Sequence, residues 1–295
     1  MNIEVRSVTG ADFAGDGSQV LMAAWAPPSL RYSPQYVEWQ LTFPGPCEAP
    51  AVAAFEGRQT VGFAASTHRR VFSGGHPLDL LVVTFVAVDP RVRGQGIAHR
   101  LYAALLSEIR RTGLPVITYG RSNSSGQRAI EQAYPLAGFS LSIFGEYAPY
   151  ATIPRTATSE GWSKSTLLPP IPQDGDFEYS APTPEQFAHY FRDPRGRHLW
   201  AHEGGGWAWA TEVEFVSPKG VETVTSLESI TGVPIEALPG LAAAAGQGKL
   251  VHAPNLLGYT SQELRPLGFR QTTAAWIGYC AGRSTSARGI NLEII

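Results

Sequence analysis

The sequence predicts an α+β protein of mixed α/β type, built as two tandem units that each set helices against a central, mostly antiparallel mixed sheet. Three observations carry that prediction. The chain is 295 residues long, two domains' worth at about 150 residues each. Strand-like and helix-like segments alternate through both halves, and a stretch rich in Pro, Ser, Thr and Gly at 149–177 parts them. A short echo links the halves: YPLAGFSLSIFGEY at 134–147 and RPLGFRQTTAAWIGY at 265–279 each run a helix end through Gly-Phe into an alternating strand. The boundaries read from these patterns are a first unit at 1–148, a linker at 149–175, a second unit at 176–282 and a tail at 283–295.

The first unit opens with a strand at 3–8 and a helix at 12–25 that Gly15 and Gly17 weaken. A second helix at 33–41 has Ser33 to cap it and Pro34 at its first position. AVAAFEGRQTVGFAASTHRR reads as two strands about a turn at Glu56-Gly57-Arg58. Residues 80–88 are almost continuously apolar, the mark of a strand buried on both faces. At 97–109 the stripe Ile97, Leu101, Ala104, Leu105 and Ile109 predicts an amphipathic helix ended by Gly113 and Pro115. PVITYG is a buried strand, 126–137 a helix and FSLSIFGEY a closing strand. In the second unit, helices at 184–191, 235–245 and 261–267 alternate with strands that include HLWAHEG and GWAWATEVEFV, paired across Gly204-Gly205-Gly206.

Composition excludes several classes. A net charge of -2 draws the protein toward neither nucleic acid nor an anionic membrane. No apolar run reaches membrane-spanning length, and the N-terminus shows no signal-peptide pattern. Cys47 and Cys280 form neither a disulfide framework nor a metal-ligand spacing, so no metal is expected and the cytoplasm is the default compartment.

The informative stretch is VAVDPRVRGQGIA at 86–98. Pro90 turns the chain out of a buried strand, and Gly94, Gly96 and Ala98 strip side chains from the start of the next helix. The amides of a first helical turn have no intrahelical partner, so the result is a concave set of N–H donors suited to a phosphate or diphosphate. Arg91 and Arg93 add charge around it. A Walker motif would need a Gly-Lys-Ser/Thr ending, and a dinucleotide fingerprint would need a third glycine where His99 stands.

This motif resembles the acetyl-CoA diphosphate motif of the GNAT superfamily of N-acetyltransferases, Arg/Gln-x-x-Gly-x-Gly/Ala, with Arg93, Gly96 and Ala98 in the key places. The order of elements over 1–148 is similar too, and Asn123, Tyr134, Gly138 and Phe139 resemble the family's later motif. The resemblance implies tandem GNAT-like domains, the N-terminal copy intact. The second copy lacks Arg-x-x-Gly-x-Gly and carries Pro234 and Pro239 near its helix start, so it is expected not to bind cofactor.

By the resemblance, the main chain at Val86, Ala87 and Val88 runs beside the pantetheine arm of acetyl-CoA or another acyl-CoA. Arg93, Gly94, Gln95, Gly96, Ile97 and Ala98 hold its diphosphate, Asn123 adds a contact, and Tyr134 contacts the cofactor and acts as general acid. The general base is open. The strand at 80–88 has no carboxylate, only Thr84, leaving Glu38, Glu146, His68 or water. Arg31, His68 and Thr84 are candidates on the acceptor side, and Trp25, Trp39, Trp207, Trp209 and Trp276 are candidates to wall a pocket between the units. The expected activity is direct acetyl transfer to a small-molecule amine. Transfer to a protein amine, use of a longer acyl-CoA, and a non-catalytic acyl-CoA-binding module are the alternatives. A homodimer is compatible with the sequence.

Overall fold

The computed structural model describes residues 3–25, 27, 29–154, 158–167, 178–254, 259–273, 275–283 and 290–291. Parts of the expected linker (155–157 and 168–177) and most of the expected tail lie outside them. The first half runs β1 (Ile3–Ser7), α1 (Ala14–Ala24), β2 (Ser29–Leu30), α2 (Pro34–Leu41), β3 (Ala51–Glu56), β4 (Gln59–Ser73), β5 (His76–Val88), α3 (Ile97–Thr112), β6 (Val116–Arg121), α4 (Ser125–Leu136) and β7 (Leu141–Tyr147). The second half runs β8 (Tyr150–Thr152), β9 (Trp162–Ser165), β10 (Glu178–Ser180), α5 (Pro184–Tyr190), β11 (His198–His202), β12 (Trp207–Ser217), β13 (Gly220–Thr231), α6 (Leu238–Gly246), β14 (Val251–Ala253), α7 (Ser261–Leu264), β15 (Arg270–Gln271), β16 (Trp276–Ala281) and β17 (Ile290–Asn291).

These strands make two mixed, mostly antiparallel sheets, but the halves trade strands. The first sheet is ordered β1-β3-β4-β5-β6-β16-β7, so a strand from the end of the chain lies between β6 and β7. The second sheet is ordered β15-β8-β14-β13-β12-β11-β9 and takes β8 from just after the first unit. β2 pairs with β12, and β10 pairs with β4. The fold departs from the sequence expectation at two places. Within the stretch expected to be a linker, 150–152 and 162–165 are strands of the second sheet, too short to show a period among the prolines and serines. The alternating strand that ends the second half closes the first sheet instead of its own.

The echo between the halves is real at the level of hydrogen bonds. Gly138 and Gly268 are both left-handed, at φ 76° and 88°. Phe139 N–H bonds Tyr134 O at 3.0 Å, and Phe269 N–H bonds Leu264 O at 3.2 Å. Each is the six-to-one closure of a glycine-ended helix. Past the Gly-Phe pair the halves diverge: β7 stays in the first sheet, whereas the second half crosses to it.

Packing fixes the exchange. On one face of the first sheet, α3 and α4 press Leu101, Leu105, Ile109, Ile130 and Tyr134 against Leu81, Val83 and Val116. On the other face, α1 and α2 share a core with Trp207, Trp209 and Tyr190 of the second half. Trp39 donates from Nε1 to His189 O, and His189 Nε2 lies 2.9 Å from Trp39 O, a reciprocal tie between α2 and α5. Behind them a buried ionic cluster sets Arg197 against Asp193 at 3.1 Å and Glu228 at 2.6 Å, with Arg195 on Asp193 at 2.8 Å. Its guanidiniums lie over aromatic rings: Arg195 over Tyr36 at 4.1 Å and Arg197 over Tyr190 at 4.9 Å. Buried charge is tolerated there because each ion is paired and bonded.

Two measurements test this arrangement. Gly278 lies where an added Cβ would meet the Phe144 ring at 2.6 Å and the Tyr147 ring at 2.9 Å. Gly278→Val should therefore cost about 1–3 kcal/mol, read as a lowered melting temperature. Burial raises the Asp193 pKa, but Arg195 and Arg197 outweigh it and bring the carboxyl to about 2, below the unfolded value of about 3.9. That stabilisation is complete above about pH 4 and is lost as the pH falls toward 2. Asp193→Asn should flatten this part of the acid-unfolding profile.

Candidate active site

Strands β5 and β6 run parallel, yet they pair only at Leu81–Val116, Val82–Ile117 and Val83–Thr118. Beyond that rung β5 continues to Val88 and β6 to Arg121, the two diverging as a fork. A bulge helps part them. In the β4–β5 ladder Ser66 pairs with Val83 and Ala65 with Phe85, which leaves Thr84 without a partner residue. A bulge turns the strand and frees main-chain groups from the ladder. It also inverts the side-chain phase. Val86 and Val88 pack toward α3 and α4, while Phe85 and Ala87 face α1, α2 and the second half.

The glycine turn stands at the open end of β5. Asp89 accepts from Arg91 N–H at 2.9 Å and starts the turn with Pro90. Gly94 and Gly96 take left-handed φ values of 81° and 71°. A Cβ at either position would meet nothing within 4 Å, so these glycines serve conformation and access, and packing does not require them. Gly96 caps α3 without any side-chain bond. By contrast Ser33, Ser124, Thr183 and Thr260 cap α2, α4, α5 and α7 with their hydroxyls. α3, the longest helix among the described residues, therefore has no side-chain cap on its first turn, where an anion would gain from both N–H groups and dipole.

The arginines contribute less than their number suggests. Arg91 is committed to the Asp89 carboxylate at 2.6 Å, and hydrogen bonding from Arg91 holds that carboxyl below its usual range. Arg93 turns back, donating from Nε to Val88 O at 3.2 Å and from Nη2 to Ala24 O. It ties the turn to the end of α1.

Tyr134, on α4, is fully buried. Its ring packs between Tyr102 and Phe139, with centroids at 6.2 and 6.1 Å. Thr118, the last paired residue of β6 across from β5, is the polar group that faces the Tyr134 hydroxyl, which makes no hydrogen bond of regular geometry. Burial holds its pKa well above the ordinary value. Nothing local in the sequence marks Thr118, since its position comes from where the ladder ends.

The remaining candidates are spread out. Thr84 is half-buried at the bulge, its hydroxyl on Val82 O at 3.2 Å. Asn123 is exposed at the end of β6 with φ 59°, just before the cap of α4. Glu38 lies on the exposed side of α2. Arg31 is exposed and paired with Glu214 of β12 at 2.9 Å. His68 is buried three residues below the bulge, opposite Leu81, with Nε2 on Cys47 O at 2.7 Å and its pKa lowered by burial. Glu146 is exposed on β7. The structure brings Thr84, Val86, Val88, the glycine turn and Tyr134 around one fork; Glu38, Arg31 and His68 are not part of that group.

In the second half, the corresponding helix start has Glu236 in its lead-in turn and Pro239 at the first positions of α6. One is an acid and the other lacks an N–H, so this end offers an anion fewer donors and a like charge nearby. Among the described residues, no group of three or more His, Cys, Asp or Glu could hold a metal. No helix among them is long and apolar enough to cross a membrane.

A forked parallel pair beside an open, glycine-started helix defines the site. Residues 21–119 match the family model for a GNAT acetyltransferase domain, a span from α1 to β6 that contains the glycine turn. This part of the chain is similar to a GNAT domain, and the whole chain shares the fold of a tandem GNAT protein. It is similar to a putative acetyltransferase from Pyrococcus horikoshii, with a TM-score of 0.63 and 17% identity over 97% of this chain and 91% of that one. It is similar to N-myristoyltransferase of Saccharomyces cerevisiae with bound myristoyl-CoA, with a TM-score of 0.65 and 12% identity over 96% and 83%. A tandem GNAT protein from the clavulanic acid biosynthesis pathway aligns with a TM-score of 0.59 and 14% identity over 97% and 100%. No curated protein matches the sequence significantly.

Gly96→Glu should weaken acetyl-CoA binding at least tenfold in calorimetry. A side chain at this φ costs about 1–2 kcal/mol, and its carboxylate would stand before the amides. Unchanged affinity would contradict the anion assignment.

Proposed function

We propose that the protein is an acyl-CoA-dependent N-acyltransferase that moves an acetyl group to the amine of a small molecule. The observation that carries this reading is the fork: main-chain groups of β5 freed at Thr84, beside uncapped amides of α3, with a buried phenol at the fork's base. The residues fit an acyl-CoA. The turn at 93–98 offers donors for the diphosphate, Val86 and Val88 offer an unpaired strand edge for the pantetheine amides, and the amide freed at the bulge can meet a developing oxyanion. Acyl-CoA would supply the activated acyl group as a thioester.

Tyr134 keeps its proton at any working pH, because burial raises its pKa, and donates it toward the departing sulfur. With Glu38 on the outer face of α2 and His68 bonded to Cys47 O, water accepts the proton of the attacking amine. A short acyl group is favoured because the base of the fork is filled: Tyr134, Thr118 and Tyr102 are 0, 1 and 5% exposed. The second half holds α1 and α2 in place and carries no acyl-CoA of its own, consistent with Glu236 and Pro239 at its helix start.

Tyr134→Phe is the decisive variant. The hydroxyl makes no hydrogen bond of regular geometry and has only Thr118 beside it, so the melting temperature should change little. Turnover measured by thiol release should fall about 100-fold or more. Unimpaired turnover would remove Tyr134 from the mechanism.

A further inference from the structure

Helix α4 carries Tyr134, yet its own hydrogen-bond ladder has a gap beside that residue. Pro135 lies inside the helix. It has no N–H, so the carbonyl of Glu131, four residues back, loses the donor that a helix would give it. Just beyond, the helix is already closing: Gly138 N–H bonds Pro135 O at 2.9 Å, and Phe139 N–H bonds Tyr134 O at 3.0 Å. Ala129, Ile130 and Ala133 pack the apolar side of α4, but apolar burial is non-directional. The aim of the Tyr134 ring therefore depends on what grips this turn from outside.

A directional grip comes from the far end of the chain. Tyr279 of β16 pairs with Thr118, and Thr118 pairs with Val83, so Tyr279 stands on the rung where the fork opens. It is 2% exposed and shares a core with Tyr134. Its hydroxyl donates to Glu131 Oε1 at 2.7 Å, and the same oxygen accepts from Gln127 Nε2 at 2.9 Å. Gln127 Oε1 in turn accepts from Asn123 N–H at 2.7 Å, where β6 turns into α4. Gly120 allows this approach, since a Cβ there would meet Gln127 Cα at 3.1 Å. Burial and the Glu131 bond push the Tyr279 phenol up to about 12, so it stays a donor. Bonds from Gln127 and Tyr279 hold the Glu131 carboxyl below its usual range, so it stays an acceptor.

We propose that Tyr279 is a positioning residue for the acyl transfer: through Glu131 it fixes the turn of α4 that aims Tyr134 into the fork. The inference rests on the acyltransferase reading with Tyr134 as acid, and it gives the exchanged strand a part in that chemistry. Glu131 and Tyr134 are three residues apart, hence neighbours on the helix surface. Rotation of this turn moves both, so a bond that fixes one side chain fixes the other. A proton donor works only within about 2.6–3.2 Å of its acceptor, and a misplacement of about 1 Å can cost on the order of 100-fold in rate. Tyr279 itself touches no reacting atom.

The test uses the full chain and two readouts. In hydrogen exchange without ligand, Tyr279→Phe keeps the ring and deletes the bond, so exchange over 131–137 should quicken about tenfold while α3 keeps its protection. Glu131→Ala, at an exposed side chain, should do the same, and it carries both readouts should Tyr279→Phe fail to fold. Glu131→Gln keeps an acceptor oxygen and should restore protection to within about twofold of wild type. The second readout is thiol release from acetyl-CoA with the best of three amine probes: tryptamine, spermidine and glucosamine. Tyr279→Phe and Glu131→Ala should each lower kcat about fivefold or more, with acetyl-CoA affinity by calorimetry within about twofold of wild type. In a Tyr134→Phe background they should cost nothing further, because they act through that hydroxyl. Wild-type exchange in both variants would overturn the inference, as would an equal fall in kcat with and without the Tyr134 hydroxyl; either leaves Tyr134 as the acid. Unimpaired turnover of Tyr134→Phe, or no thiol release with any probe, would overturn the reading of the site and this inference together.

Discussion

The parting of β5 and β6 is the constraint on which the rest of this structure depends. Buried main-chain N–H and C=O groups must be paired, and two parallel strands that separate inside a sheet break that rule unless each finds another partner. Here β6 takes β16 along its whole length, and β5 takes β4. Only the inner edges are left to a ligand or to water. The bulge at Thr84 sets the point of separation, and the αL glycines place the first turn of α3 at the open end. A sheet with an uninterrupted β5–β6 ladder would be better satisfied and would have no opening.

The second half is therefore more than an appendage. Its own helix start carries Glu236 and Pro239 where the first half has bare glycines, and it supplies the strand that holds β6 away from β7, the edge that receives β2, and the tryptophans beneath α1 and α2. The buried Asp193–Arg197–Glu228 cluster lies under the rings of Tyr36 and Trp39, so α2 is held by ions that are costly to separate.

The first half is legible in the sequence because its signals are local. A stripe of period 3.6 marks α3, an unbroken apolar run marks β5, Ser33-Pro34 marks the start of α2, and the glycines mark the open helix end. The strand exchange is not legible. Trp276–Ala281 reads as a strand wherever it pairs, and nothing in its six residues says which sheet it joins. Thr118 and Thr84 gain their importance from register, a relation between distant strands. Arg91 and Arg93 mislead for a related reason: sequence shows charge near the glycine turn, whereas structure shows one guanidinium spent on Asp89 and the other on main-chain carbonyls.

Committed arginines and open amides represent two ways of holding a diphosphate. Free arginines would bind it through long-range charge, screened by salt and tolerant of small changes in the backbone. Amides at a helix start bind through direction, so their contribution is set by φ at Gly94 and Gly96 and by the absence of a capping hydroxyl. Arg93 is better placed to fix geometry, since it joins the exit of β5 to the last residue of α1. The next residue is Trp25, the outer end of an aromatic chain that leads through Tyr32 to Phe85. One side chain thus ties the glycine turn to the end of α1 and to the start of that aromatic chain.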